Sequence, residues 1–359
     1  MKVLYVKTLW GVTEEMGNCP SGYGKLFARI AADGFNALET PVWMIADKAA
    51  FSAALKAAGL GYVCMVNTCT PDPSGPPGRT FERPSQKLSD HLASFEAQVK
   101  EACAMSPLLI NAHSGFDGWS LADATAFFTR ALEVERACGV TIAHETHRGR
   151  VLYQPWITRD LCRAFPDLKL TADLSHFCVV AERVFHDTDE DWAAVMKEVA
   201  RATVHIHARV GYAEGPQVPD PRAPEYEPAL LRHEAWWDQI LAAQAAAGRQ
   251  VITLEPEHGT DGYQQRLPYT VRVPRAPPPP PHTHTHSPPS RTHPPRPHTH
   301  LPHPPGRGDG VDLGHQLVDP APPGGTPKGG AVGVKGVKLP VCLRTVHCFF
   351  SSQRKGARP

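Results

Sequence analysis

No run of this chain is apolar for long enough to cross a membrane, and no Lys/Arg cluster marks a nucleic-acid groove or a membrane-surface helix. Neither sign of charge is in surplus: 37 Lys and Arg face 36 Asp and Glu, a formal net of +1. There is no C-x-x-C pair. The nine cysteines are an odd number and lie scattered, which fits reduced thiols better than a disulfide framework or a zinc ribbon. The opening MKVLYVKTLWG has too short an apolar stretch for a signal peptide and no small-residue cleavage site; it reads as a first strand. No Gly-rich phosphate fingerprint follows that strand. These absences predict a cytoplasmic protein that partners neither membrane nor nucleic acid.

What is present divides into two pieces. Residues 1–270 alternate apolar runs with helix-forming stretches, and composition breaks near Val273. Residues 271–359 form a Pro/His/Gly-rich stretch holding 20 of the 37 prolines, with too little apolar surface to offset the entropy of ordering it. Its HTHTH run is what a CA dinucleotide repeat encodes. The tail is therefore expected to be disordered and to derive from a retained intron or a frameshift. A mature transcript continuing this reading frame would count against that origin.

In the first piece, eight apolar runs of strand length recur: VLYVKTL (3–9), ALET (37–40), YVCMVNT (62–68), LLINAHS (108–114), TIAHETH (141–147), LKLTADL (168–174), TVHIHAR (203–209) and VITLEPE (251–257). Helical patterns separate them, several ending in Gly. The spacing is mostly one β-loop-α unit. It widens twice, by TPDPSGPPGRTFERPSQ after the third run and by VGYAEGPQVPDPRAPEYEP after the seventh. Both insertions follow a strand and precede a helix. In a (β/α)8 barrel that is the carboxyl-end face, where active sites are built. Eight units favour this α/β barrel over an open doubly wound sheet. After strand eight only GTDGYQQRLPYTVRV precedes the proline tail, so no normal eighth helix is expected. Exposed flanks of strands eight and one would then favour poor solubility or cover by a partner subunit.

Alternate strand residues point into the barrel. The last inward positions of strands five to eight are Glu145, Asp173 (with His176 three residues on), His205 and His207, and Glu255 and Glu257. Clustered carboxylates repel one another, and a divalent cation removes that cost. Mixed oxygen and imidazole donors suit manganese, magnesium, cobalt or zinc. Each residue also has a plainer explanation. Glu145 stands three before Arg148, which would pair with it. His205, one inward step below His207, fits a hydrogen-bonded core residue. His113, in NAHSG after strand four, fits either a substrate contact or a structural turn.

With these strand ends, HETHR, DLSH, HIHAR and LEP, residues 1–270 resemble the xylose-isomerase-like TIM-barrel superfamily of sugar isomerases, ketose epimerases, hydroxypyruvate isomerase and inosose dehydratase. Endonuclease IV-type enzymes share that fold. The resemblance implies one divalent metal on Glu145, Asp173, His207 and Glu255. It implies Glu145 and Glu255 as the acid/base pair of a proton transfer through an enediolate. Substrate would meet His176, with His113, Arg209 and His205 as further candidates. The substrate implied is a small carbohydrate, and homo-oligomers are common in the superfamily. Two departures stand out. The family's arginine lies several residues past the strand-seven His, whereas Arg209 is only two past His207; the loop that follows offers Tyr212 and Gln217 instead. The endonuclease branch needs a D-x-H after strand seven, where this chain has Asp220 and Arg222. Against all these readings stands a non-catalytic or unstable truncated barrel.

Overall fold

All eight apolar runs form strands. The computed structural model describes residues 1–10, 12, 22–69, 85–259 and 262–265. The strands are β1 (Lys2–Thr8), β2 (Ala37–Pro41), β3 (Gly61–Asn67), β4 (Leu109–His113), β5 (Ile142–Glu145), β6 (Lys169–Ala172), β7 (Thr203–Ala208) and β8 (Val251–Pro256). Each pairs in parallel with the next, and β8 closes on β1 with Lys2 opposite Val251 and Tyr5 opposite Leu254. The helices are α1 (Tyr23–Ala32), α2 (Lys48–Ala58), α3 (Leu88–Cys103), α4 (Leu121–Cys138), α5 (Pro155–Ala164), α6 (Ser175–Val180), α7 (Glu190–Ala202) and α8 (Glu227–Ala246). This is the (β/α)8 barrel that the sequence predicts. The expectations for the eighth helix and for residues 271–359 lie outside the described residues.

Local chemistry sets the helix ends. Asp47 caps α2 by accepting from the Ala50 N–H at 2.8 Å, and Gly59, at φ 67°, lets the chain leave in the left-handed region. Ser120 and Gly139 do the same for α4. The helices bury Phe27, Phe51, Phe95, Phe127, Phe128, Phe177, Trp192 and Trp236 against the barrel's outer wall. Each such side chain contributes about 1.5–3 kcal/mol of transfer free energy.

Inside the barrel, Val6, Ala37, Val63, Leu109, Ala143 and Val204 form a separate apolar layer. One inward step toward the carboxyl end, the same wall turns polar with Thr8, Glu39, Asn111 and Glu145, all buried. Between β6 and β7 the register shifts at Leu170/Thr171, so that two residues of β7 oppose one of β6. Beyond that bulge His205 pairs with Thr253 and His207 with Glu255, which carries both imidazoles into the polar layer.

Candidate metal centre and active site

Strand β2 brings Glu39, β4 Asn111 and His113, β5 Glu145, β7 His205 and His207, and β8 Glu255, with Glu257 just past its end. Of these only His113 is more than slightly exposed. Strand β6 ends at Ala172, and Asp173 follows it; His176 sits in the first turn of α6, both fully buried. The D-x-x-H pattern thus bridges a strand end and a helix start.

His207 lies at the centre. Its Nε2 is 3.5 Å from Glu39 Oε1, and its Nδ1 is 3.1 Å from Glu257 Oε2 and 3.7 Å from Glu145 Oε2. Burial opposes charge on the ring, but Glu145, Glu39, Glu257 and Glu255 together raise its pKa well above the ordinary value. Burial likewise works to raise Glu39, yet His207 and His205 hold it at about 2; His205 Nε2 is 3.1 Å away. Glu255 behaves in the opposite way. Burial, and then repulsion from Glu39, push it well above the carboxylate range. Neither of its oxygens has a hydrogen-bond partner.

Arg209, expected as a substrate contact, is ion-paired at the rim. Its Nε and Nη2 donate to Asp173 Oδ2 at 3.0 and 2.8 Å, and Nη2 lies 2.9 Å from Glu257 Oε2. The guanidinium stacks on Tyr263 at 4.6 Å and Trp10 at 5.6 Å, and the residue is 2% exposed. Asp173 Oδ1 accepts from the Ser175 N–H and hydroxyl at 3.1 and 2.5 Å. Both oxygens of Asp173 are therefore engaged.

Glu145 does not take the Arg148 partner that its spacing suggests. Its Oε2 lies 2.6 Å from His113 Nε2 and accepts from Asn111 at 2.7 Å, while Arg148 packs on the Tyr263 ring at 5.0 Å. His113 thus meets the Glu145 carboxylate directly. His176 Nε2 is 3.6 Å from Asp173 and its ring lies 3.9 Å from that of His147. His147 Nδ1 donates to the Arg148 carbonyl at 2.5 Å, leaving Nε2 to accept from the Tyr263 hydroxyl at 3.2 Å.

The loop candidates Gln217 and Tyr212 both make contacts within the protein. Gln217 is buried and braces the β7 loop against the chain after β8, donating to the Gly259 carbonyl and accepting from its N–H at 3.1 and 2.6 Å. Tyr212 turns to Tyr226, with ring centroids 5.8 Å apart. Asp220 and Arg222 pair with each other at 2.8 Å.

Sequence reasoning missed Glu39, Asn111, His147 and Tyr263. Glu39 left a signal: it is an acid at an inward position of the β2 run, of the same kind as those read on strands five to eight. His147 sits inside the HETHR motif.

The donor set fits a divalent cation. Glu39, His205, His207 and Glu255 each offer a ligand atom, all within 4.8 Å of one another; three further trios are Glu145/Asp173/His176, Asp173/His207/Glu257 and His113/Glu145/His147. Both Glu255 oxygens are buried without a hydrogen-bond partner, and carboxylate oxygens are suitable ligand atoms for such an ion.

Fold and site together define a (β/α)8 barrel with a buried His/carboxylate cluster at its carboxyl-end face. The chain belongs to the xylose isomerase-like TIM-barrel family, whose model matches residues 27–270. Among solved structures, it is similar to an AP endonuclease of family 2 from Brucella melitensis, with 17% identity over 73% of this chain and 95% of that one, TM-score 0.48. A D-allulose 3-epimerase from Methylomonas sp. is 12% identical over 73% of this chain and 87% of that one, TM-score 0.47. A 3-keto-D-glucoside 4-epimerase from E. coli is 12% identical over 73% and 94%, TM-score 0.45. No curated protein matches the sequence. Among the described residues, no helix is long and apolar enough to cross a membrane.

Proposed function

We propose that this protein is a divalent-metal-dependent isomerase or epimerase of a sugar or sugar-derived hydroxy-ketone, working in the cytoplasm by proton transfer at the carbon beside a carbonyl. One observation carries the reading: the buried imidazoles of His205 and His207 stand among four buried carboxylates, Glu39, Glu145, Glu255 and Glu257, of which Glu257 pairs with Arg209. Such an excess of buried negative charge is costly without a cation.

The family resemblance draws the metal ligands from Glu145, Asp173, His207 and Glu255. Bound there, manganese, magnesium, cobalt or zinc supplies the positive charge that an enediolate oxygen requires. The chain's own residues do the rest. Glu145, oriented by His113 and Asn111, takes the proton from carbon. Glu255, across the site from Glu145, returns one on the other side. His176 and His113, on the carboxyl-end side, are the substrate contacts. A dehydratase begins with the same proton abstraction and is the nearest variant of this reaction.

The test is metal content of the purified full-length chain, together with exchange of substrate C–H protons into D2O across ketoses, hydroxypyruvate and inososes. About one divalent ion per chain is expected, with exchange slowed by roughly 10²–10⁴ in Glu145→Gln and Glu255→Gln. A folded, metal-free protein that exchanges none of these protons would sink the proposal.

A further inference from the structure

We propose that Cys103 and Cys138 form a redox modification site: a dithiol on the amino-end face of the barrel that a small-molecule disulfide closes into a bond stapling α3 to α4. The proposal is independent of the chemistry at the carboxyl-end face.

The two cysteines are the last residues of neighbouring helices, α3 (Leu88–Cys103) and α4 (Leu121–Cys138). Helices of a parallel barrel run back against the strands, so both C-termini reach the amino-end face. Strands β3 and β4 pair in parallel, and the helices that follow them pack side by side. Side-chain contacts mark this seam along its length. His91 meets Trp119 with ring centroids 4.8 Å apart, Phe95 meets Phe127 at 5.5 Å, and Arg130 Nε donates to Glu96 Oε1 at 2.7 Å. Each contact lies further along both segments than the one before. The seam ends on Cys103 and Cys138, whose thiols hydrogen-bond each other.

Solvent reaches this pair. Cys64, Cys162 and Cys178 are buried, whereas Cys103 and Cys138 are only half-buried. Cys138 Sγ also accepts from the Val140 N–H at 3.4 Å, a contact made where Gly139, at φ 71°, turns the chain out of α4. Burial, and then Cys138, push the Cys103 thiol up to about 12, so Cys103 keeps its proton at neutral pH. Cys138 is therefore the sulfur that reacts first and Cys103 the one that closes the bond. Their existing contact supplies the proximity that the closing step needs.

The step balances. As a thiolate, Cys138 attacks one sulfur of the small disulfide; a new S–S bond forms, and the first small thiol leaves with the Cys138 proton. The Cys103 sulfur then attacks the Cys138 sulfur. The Cys103–Cys138 bond forms as the second small thiol departs with the Cys103 proton. The protein dithiol loses two electrons and the small disulfide gains them. The link closes a loop of about 35 residues that holds β4 and α4, a length at which a crosslink stabilises by restricting the unfolded chain.

The experiment treats the reduced full-length chain with oxidised glutathione, blocks the remaining thiols and digests with trypsin. Cleavage after Lys100, Arg130, Arg136 and Arg148 puts the two cysteines on separate peptides, 101–130 and 137–148. These are expected as one cross-linked species that dithiothreitol separates. The melting temperature of the oxidised chain should rise by roughly 5–15 °C. Cys103→Ser should instead retain one glutathione on Cys138 and show no such rise. If that variant does not fold, the wild-type peptides decide alone. Peptides recovered apart, each blocked or each carrying glutathione, overturn the proposal, as does a crosslink that forms only in denaturant.

Discussion

Gly211 follows the β7 histidines closely, and a Cβ there would come within 2.7–2.8 Å of Ser175 Cβ, Cα and carbonyl oxygen. The neighbour is mostly backbone and cannot swing away. Gly211→Ala should therefore destabilise the protein by about 1–3 kcal/mol, measured by denaturant unfolding. It should also disturb Ser175, the group that fixes Asp173. The Gly211 N–H donates to His233 Nε2 at 3.2 Å, and His233 Nδ1 donates to the Ala229 carbonyl at 2.9 Å, so that ring is neutral. Burial lowers its pKa to about 4 against an ordinary 6.5, although Ala229 pulls the other way. A folded value below the unfolded one means that the contribution is complete above pH 6.5 and is lost as pH falls toward 4. Over that window the wild type should lose on the order of 3 kcal/mol more unfolding free energy than His233→Gln. Equal losses would show that the ring titrates normally. Of the site residues, those at the last inward positions of strands five to eight were legible because strand parity alone locates them. The Arg209–Asp173–Glu257 pairing was not, since it depends on how far a long side chain folds back across a rim.

Among the elements, strands and most helices were readable from apolar period and Gly stops. The bulge between β6 and β7 was not, because no Gly or Pro marks the shift at Leu170/Thr171. The short helix α6 was also hidden, its six residues merging with the end of the DLSH motif. Caps are where a sequence signal converts most directly into stability. Asp47→Ala removes the acceptor for the Ala50 N–H and Ser120→Ala that for Asp123. Each should cost about 0.5–2 kcal/mol, read as a lower melting temperature with the site untouched. A null effect for both would mean that water replaces the caps without loss.

At the scale of the whole molecule, eight β-loop-α units in a row were enough to predict closure, because each unit leaves a strand edge that only the next can cover. What the units could not reveal was the depth of the polar layer, since Glu39 enters from a strand far in sequence from the motifs. An ion bound among the strand ends would tie several strands of the ring together. Manganese at about 100 times its dissociation constant should stabilise the fold by about 2.7 kcal/mol, a rise of roughly 5–10 °C in melting temperature that a chelator reverses. An unchanged melting curve would speak against any bound ion. The pairing of β1 with β8 joins Lys2 to Val251, the two ends of the ring. On a ribosome adding about 5–20 residues per second, the first strand waits on the order of 10–50 s for that partner. During that interval it presents an open edge to every other nascent chain nearby. The barrel's closure thus sets a period of exposure during synthesis, which a chaperone that shields strand edges would shorten.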